Sequence, residues 1–489
     1  MRTLKQQQTN HIIMITFWSQ FASYALNSIL ILFLTRPTLA NGLNYSQATA
    51  YTFLGISQAT GYLMPIIGGY MADHVLGIRR SILMGSILLV LSYLFIMLSG
   101  YSIPYVGDRF FIAAYALTPA ANSLLIGTAT SMIARVHGEH AVATKTAMTY
   151  YYLAINCGAL LGTLIAPSLL DSTLGPLSVL ALAFFGKSIA AINFAYHYHV
   201  YDNVVSTHDQ SRLSYAMVIK TLLYLTCLYL FTLMAYSHPG TASWIVLQGC
   251  MAGIAWFVFN TCQLPRLARN QQAVACLLII EAIVFFVIYN QMNSTLIMFA
   301  EHYSDHRFLG FSIRAAHYQL LNPLLILALG LQLPRLYKKF PSFSIPYQFA
   351  TGTLLASSAL FIISAAPCQP HQDIISGNYI AMTYVFISLA ELCVSAIGLS
   401  MIGLYCDRHQ IGFAMGTWFL ASSLSNIISA RIASWSSISN LPQTTAEGLF
   451  TYQGYYSQLG TMSAVLSLFM FLIALKLRKI SQKRDLSIV

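Results

Sequence analysis

Long apolar runs separated by short polar punctuation fill this chain from end to end. Segments such as Ser81–Ser99 and Leu459–Leu475 carry no charge and show no apolar/polar alternation. A strand of a membrane barrel alternates with period two over about 10 residues. A helix needs roughly 20 continuous apolar residues to cross a bilayer. The runs therefore predict helices, fourteen in all, over about 12–35, 47–72, 80–99, 107–135, 144–170, 177–198, 214–235, 241–264, 274–300, 315–334, 346–366, 378–405, 411–433 and 452–476. The breaks fall where Gly, Pro and charge cluster, as at Gly77-Ile78-Arg79-Arg80, Ser237-His238-Pro239-Gly240, Pro334 to Lys339 and Cys406 to His409.

Composition points the same way. The 489 residues are 57% hydrophobic and 8% charged, with a mean hydropathy of +0.65. A soluble globule needs a far more polar surface, and a disordered chain far less apolar area. The first run, Ile12–Leu34, is too long for the apolar core of a cleaved signal peptide and reads as the first span. Eight cysteines without CxxC spacing behave as small hydrophobes, so neither a disulfide framework nor a metal site is expected.

The net charge of +11 could suggest nucleic acid, but its placement suggests topology. With the N-terminus inside, nineteen of the 25 cations fall on the inner side: Arg2, Lys5, Arg79, Arg80, Arg135, Lys145, Arg212, Lys220, Arg266, Arg269, Arg335, Lys338, Lys339, Arg408, Lys476, Arg478, Lys479, Lys483 and Arg484. Five (Arg36, Arg109, Arg307, Arg314, Arg431) fall outside, and Lys187 falls within a span. That bias is the positive-inside pattern of an even number of spans with both termini inside. The longest polar linker, about Tyr198 to Ser214, holds His199 and His208 and follows His197; without further ligands these read as an ordinary linker. It divides a first bundle (1–200) from a linker and two-helix insertion (201–270) and a second bundle (271–489). Two bundles of six suggest a transporter with its site at the midplane.

The stretch Gly68-Gly69-Tyr70-Met71-Ala72-Asp73-His74-Val75-Leu76-Gly77-Ile78-Arg79-Arg80 resembles the loop between helices 2 and 3 of the major facilitator superfamily. Its GGxxADxxLGxRR form is that of the proton-dependent oligopeptide transporter (POT, or PTR) family. Tyr151 to Leu160 resembles the family's helix-5 FYxxINxGSL, and Gln291 to Leu296 its helix-7 QxxTSL. Leu309 to Ser312 and Tyr318 to Pro323 resemble the approach to helix 8, Ala390 to Leu399 helix 10, and Met415 to Leu420 helix 11. The resemblance covers the chain in order. It implies an all-α integral membrane protein of the major facilitator fold, two six-helix bundles plus a two-helix insertion, fourteen transmembrane helices in all. Asp73, Arg79 and Arg80 would form the structural loop, with Asp73 pairing with nearby cations.

In this family a helix-5 Asn, a helix-8 Asn and a helix-10 Glu hold the peptide's amino terminus; the matching residues are Asn156, Asn322 and Glu391. One carboxylate and two amides suit an ammonium, which only donates. Glu391 also stands out unaided, because only it and Glu281 among the 14 acids lie well inside spans. Tyr24, Tyr62, Tyr152 and Trp418 sit at or near positions where the family lines its cavity. Helix 1 departs from the pattern. Against the family's ExxERFxYYGxR, Thr16 and Ser19 replace both acids, Gln20 and Asn27 replace the arginines, and Phe21 and Tyr24 remain. Ile126 falls where helix 4 usually has Lys, and Asn290 where helix 7 often has an acid. The site thus loses three cations and at least two anions. A buried charge without its partner costs several kcal/mol, so their joint loss is self-consistent. The expectation is a neutral polar site, with Gln20, Asn27 and Asn290 beside Glu391, that grips an amine and holds a carboxylate weakly.

Proton coupling is then absent or relocated, with Glu391, Glu281 and His317 as candidates. Lys187 could pair with an acid or snorkel. The expected function is secondary transport of di- or tripeptides or related amine-bearing solutes by alternating access. The alternatives are a transporter of a non-peptide cationic or amino-acid-like solute without proton coupling, and a non-transporting ligand sensor. No HExxH, GxSxG or paired intramembrane carboxylates suggest an enzyme. The expected partners are a small-molecule or peptide substrate, protons as a candidate co-substrate, and the bilayer of a bacterial inner membrane, with no cofactor, metal or nucleic acid and the chain working as a monomer.

Overall fold

The structure is a computed structural model that describes residues 4–138, 141–170, 172–204, 209, 213–330, 332, 339, 344–369, 373–407, 409–437 and 445–484. Arg2, His208, Arg212, Arg335, Lys338 and Arg408 lie outside the described residues. Each of the fourteen predicted segments contains helix. By length and composition, twelve helical spans among the described residues can cross a membrane. The other two are the helix Gln47–Met71, interrupted by Gln58, Thr60 and Pro65, and the shorter apolar stretch Ala315–Gly330.

The chain divides into two compact units, Met1–Ser46 with Ile56–Ala242, and Gln47–Gly55 with Ser243–Val489. The first contains α1 (Leu4–Thr35), most of α2 (Gln47–Met71), α3 (Ile78–Val106), α4 (Arg109–Leu125), α5 (Thr128–His137), α6 (Ala141–Leu169), α7 (Pro176–Tyr196) and α8 (Tyr215–Ser237). Within it α1 packs on α6 and α7, α3 on α4 and α7, and α4 on α8. The Thr232 hydroxyl of α8 donates to the Ala116 carbonyl of α4 at 2.7 Å. The predicted span 107–135 is interrupted at Ile126-Gly127, where Gly127 has φ +89°. A side chain is strained there, so α4 and α5 are separate helices.

The second unit holds nearly all of α9 (Pro239–Gln263), then α10 (Arg266–Tyr289), α11 (Thr295–Tyr303), α12 (Leu321–Gly330), α13 (Ile345–Ser364), α14 (Gly377–Tyr405), α15 (Ile411–Ala433) and α16 (Thr445–Arg484). The first turns of α2 also belong here, and the Tyr51 and Tyr452 hydroxyls meet at 2.9 Å. A 3-10 turn, Asn290–Asn293, separates α10 from α11. A short antiparallel hairpin, β1 (Arg307–Phe308) and β2 (Phe311–Ser312), precedes α12. Its turn residues Leu309 and Gly310 both have positive φ, the geometry of the tightest hairpin turns. On α8 and α9, Leu222, Leu223, Trp244 and Ile245 are exposed, as lipid-facing side chains are.

Candidate functional site

In the second unit, the structure joins two of the residues singled out from sequence. Asn322 opens α12, and Pro323 follows at a position where its missing N–H costs nothing. The Asn322 Nδ2 donates to Glu391 Oε2 of α14 at 2.6 Å and approaches Ser388 Oγ at 3.2 Å. The Ser388 hydroxyl itself donates to the Tyr384 carbonyl at 2.7 Å. The Tyr289 hydroxyl, at the end of α10, also bonds to the Glu391 carboxyl group. Asn322 is buried and Glu391 half-buried. One carboxylate has about four acceptor positions, so these donors leave room for a ligand's ammonium.

The other candidates of this unit behave differently. Asn290 follows Tyr289, and its buried Nδ2 has no hydrogen-bond partner among the described residues. Glu281, 7% exposed, lies in the interior of the unit and carries an Oε2 without a partner among the described residues. His317 sits in the 3-10 segment Ala315–Leu320, where its Nδ1 accepts from the Arg314 backbone N–H at 2.9 Å. Trp418 is 6% exposed and packs edge-on to Phe286 and against Phe349. Gly398 makes room for its ring, since a Cβ there would lie 2.1 Å from it. Gln291 is fully engaged. Its Nε2 donates to Ser429, and its Oε1 accepts from Thr295 and Tyr455.

In the first unit, Asn156 is buried and donates back along α6 to the Tyr152 carbonyl at 3.0 Å. Tyr24 and Tyr152 are exposed, while Gln20 and Asn27 are half-buried. Gly158 and Gly162, four residues apart, bring α6 against the Gln20 and Tyr24 side of α1. A Cβ on Gly158 would lie 2.5 Å from the Phe17 carbonyl, and one on Gly162 2.6 Å from that of Phe21. Small residues at this spacing are what allow membrane helices to touch backbone to backbone. Asn27 lines a polar cavity of about 80 Å³ together with Ser23, Gln58, Tyr93, Asn122 and Tyr236.

The loop after α2 is an ionic and capped junction. Asp73 pairs with Arg135 at 3.5 Å, as expected of it. Arg79 pairs with Asp202, and its guanidinium lies 4.2 Å from the Tyr198 ring centre. The Asp209 carboxylate accepts from the backbone N–H groups of Arg79 and Arg80 at 3.4 and 3.2 Å, satisfying orphan donors at the start of α3. Asp202 and Asp209 were not identified from sequence. Their only signal is that they are the two acids of the polar linker.

A profile of the POT family (PTR2) matches residues 79–446. The chain belongs to the POT family. Relatives include the dipeptide and tripeptide permease A of Pectobacterium carotovorum, 28% identical over 99% of this chain and 94% of that one. The dipeptide and tripeptide permease A of Proteus mirabilis is 29% identical over 99% and 97%. The fold is that of solved members. A crystal structure of tetrameric PepTSo2 superposes with TM-score 0.85, at 21% identity over 97% of this chain and 99% of that one. A bacterial homologue of the human drug peptide transporters PepT1 and PepT2 gives 0.83, at 22% identity over the same shares.

Helix 1 shows how this POT chain is built where it departs from the motif. The Thr16 hydroxyl donates to the Ile12 carbonyl at 2.8 Å. Ser19 faces Lys187 of α7, whose Nζ donates to Ser19 O, Ser19 Oγ and Ser23 Oγ, all at 2.8 Å. Lys187 is 2% exposed and forms no ion pair among the described residues. Of the two expectations for it, an acidic partner and snorkelling, neither holds: three neutral oxygens of α1 use all three of its donors. Ile126 stands at the break between α4 and α5, exposed.

Proposed function

We propose that this POT protein is a secondary transporter of di- or tripeptides, or of closely related amine-bearing solutes, working by alternating access in a bacterial inner membrane with both termini cytoplasmic. The names of its relatives support the substrate class. The observation that carries the amine preference is the Glu391 carboxylate, held by Asn322 at 2.6 Å and by Tyr289. Two neutral donors orient the carboxylate and bring no countercharge, which leaves it to a ligand cation, and charge-assisted hydrogen bonds are about twice as strong as neutral ones. Asn156 supplies a further amide in this reading. The absent helix-1 acids and cations give a site that tolerates substrates without a free carboxylate, with proton coupling moved away from helix 1. Glu281 and Glu391 remain candidate carriers in the second unit, and His317 a more peripheral one. The chain works as a monomer and performs no covalent chemistry.

A thermal-shift screen tests this reading. Dipeptides, tripeptides, amino acids and simple amines are compared with their N-acetylated and C-amidated forms, since a ligand of the folded state alone raises its apparent stability. Stabilisation by free-amine ligands that N-acetylation removes and C-amidation spares is expected. Equal stabilisation by N-acetylated dipeptides refutes it.

A further inference from the structure

Lys187 occupies an environment that a structural cation does not require. Its three hydrogen-bond acceptors are neutral, and its Nζ lies 5.0 Å from the ring centre of Tyr93. The Ser23 hydroxyl that accepts from it also contacts the Tyr93 hydroxyl. Ser23 and Tyr93 in turn line the polar cavity of about 80 Å³, which is large enough to admit water. A chain of exchangeable protons thus runs from a buried amine to a polar cavity.

Among the described residues, the groups around Lys187 carry no opposing charge. On α1 the facing groups are Ser19 and Ser23; that helix's Lys5 and His11 lie eight or more residues before Ser19, roughly 12 Å or more along the axis, and its Tyr24 is exposed. On α3 the facing group is Tyr93, with Arg79 and Arg80 at least thirteen residues away, about 20 Å. On α6, Tyr151 bonds to Thr16, and that helix's other titratable side chains are Lys145, the exposed Tyr150 and Tyr152, and Cys157. The 3-10 segment Tyr198–Tyr201 carries His199, which is engaged with Asp202. Ser19 is the position where the family motif has a carboxylate, so the amine of Lys187 meets a hydroxyl where relatives place an acid.

We propose that Lys187 is the proton-binding group of the first unit and takes over the coupling role that helix 1 has lost. This rests on the transport reading above. The step balances within the groups named. The ammonium releases one N–H proton through the Ser23 and Tyr93 hydroxyls to water in the cavity. The neutral amine keeps two N–H donors, one to the Ser19 carbonyl and one to a serine oxygen. The other serine hydroxyl turns to donate to the new lone pair. Uptake of a proton reverses each bond. A carboxylate beside the lysine would hold it charged, and neutral hydroxyls let it exchange.

The test uses the full chain in proteoliposomes with tritiated Ala-Ala, measuring both counterflow and accumulation driven by an inward proton gradient. Wild type is expected to show both. Lys187→Gln and Lys187→Arg are expected to lose gradient-driven accumulation while retaining measurable counterflow, which needs no net proton movement. Arginine keeps the charge and the donors but does not deprotonate in proteins, so recovery of accumulation by Lys187→Arg would show a merely structural cation and overturn the proposal. Retained accumulation in Lys187→Gln overturns it too, as does a wild type with counterflow but no response to the gradient; in both, the transport reading stands. A wild type without counterflow overturns the transport reading itself, and this inference with it.

Discussion

Asn322 holds Glu391 through a 2.6 Å hydrogen bond from its amide nitrogen to one carboxylate oxygen. The two residues are 69 positions apart in sequence and come from different helices, α12 and α14. The bond orients the carboxylate without neutralising it, because an amide donor brings no charge.

Glu391→Gln keeps the size of the side chain and removes its charge. A hydrogen bond to a charged group contributes about 1.5–3 kcal/mol. Affinity for free-amine ligands is therefore expected to fall roughly ten- to a hundredfold. Affinity for the N-acetylated forms, already weak, is expected to stay as it was. Calorimetric titration of both ligand sets against both proteins gives the comparison. An equal loss across the two sets would show that Glu391 supports the fold and does not hold the amine.

Installing the missing cations should restore carboxylate recognition. Gln20→Arg puts a guanidinium on the half-buried α1 position, and Ile126→Lys puts an ammonium on the exposed position between α4 and α5. Either is expected to raise affinity for a dipeptide above that for its C-terminal amide, whereas wild type ranks the two alike. The ratio of the two dissociation constants is the readout. If wild type already loses strongly on amidation, the neutral-site idea is wrong.

How much of this was legible in the sequence depends on the range of the interaction. The helices were, because absence of charge is a local property read directly along the chain. The two breaks were not: at Ile126-Gly127 a single φ interrupts an apolar run, and the amides of Asn290 to Asn293 read as polar positions within a span, since composition alone does not separate these from a turn. Asn322 and Glu391 were found through motifs, and Glu391 also through its charge in a span. Tyr289 and Ser388 were missed because a tyrosine or serine in a span is ordinary, and only the fold aims it at Glu391. The partners of Lys187 lie 164 and 168 residues away and are hydroxyls and a carbonyl, which no charge pattern reveals.

The glycines of α6 offer a test of packing alone. A Gly158→Leu side chain would start 2.5 Å from the Phe17 carbonyl, where backbone and not a flexible side chain blocks it. Overpacking of this kind costs about 1–3 kcal/mol, so thermal unfolding in detergent is expected at a clearly lower temperature. Gly249→Ala on α9 meets nothing within 4 Å and is the control. It is expected to be neutral or slightly stabilising, because alanine favours a helix over glycine by about 1 kcal/mol. Equal behaviour of the two variants would remove the argument that Gly158 permits the close approach of α1 and α6.

The junction after α2 predicts an acid limit to stability. The Arg79 guanidinium beside Asp202 holds that carboxyl below its usual range, despite the small opposing cost of removing it from water. A carboxyl depressed in the folded state contributes stability that is fully present above its unfolded value of 3.8 and is lost as pH falls through the lower, folded value. The contribution is therefore constant at neutral pH and disappears only in strong acid. Because the Asp202 side chain is 58% exposed, salt screens the pair and the effect is small. Asp202→Asn is expected to flatten the lowest-pH part of the unfolding profile and leave the neutral part nearly unchanged. Asp209→Ala removes acceptors for two backbone N–H groups at the start of α3, and loss of such a cap costs about 0.5–2 kcal/mol. Its destabilisation is expected already at neutral pH. Unfolding temperatures of the three proteins, measured from neutral pH down to the acid limit at low and high salt, separate the two acids. An Asp202 contribution that is insensitive to salt, or that persists undiminished into the strongest acid, would contradict the ion-pair account.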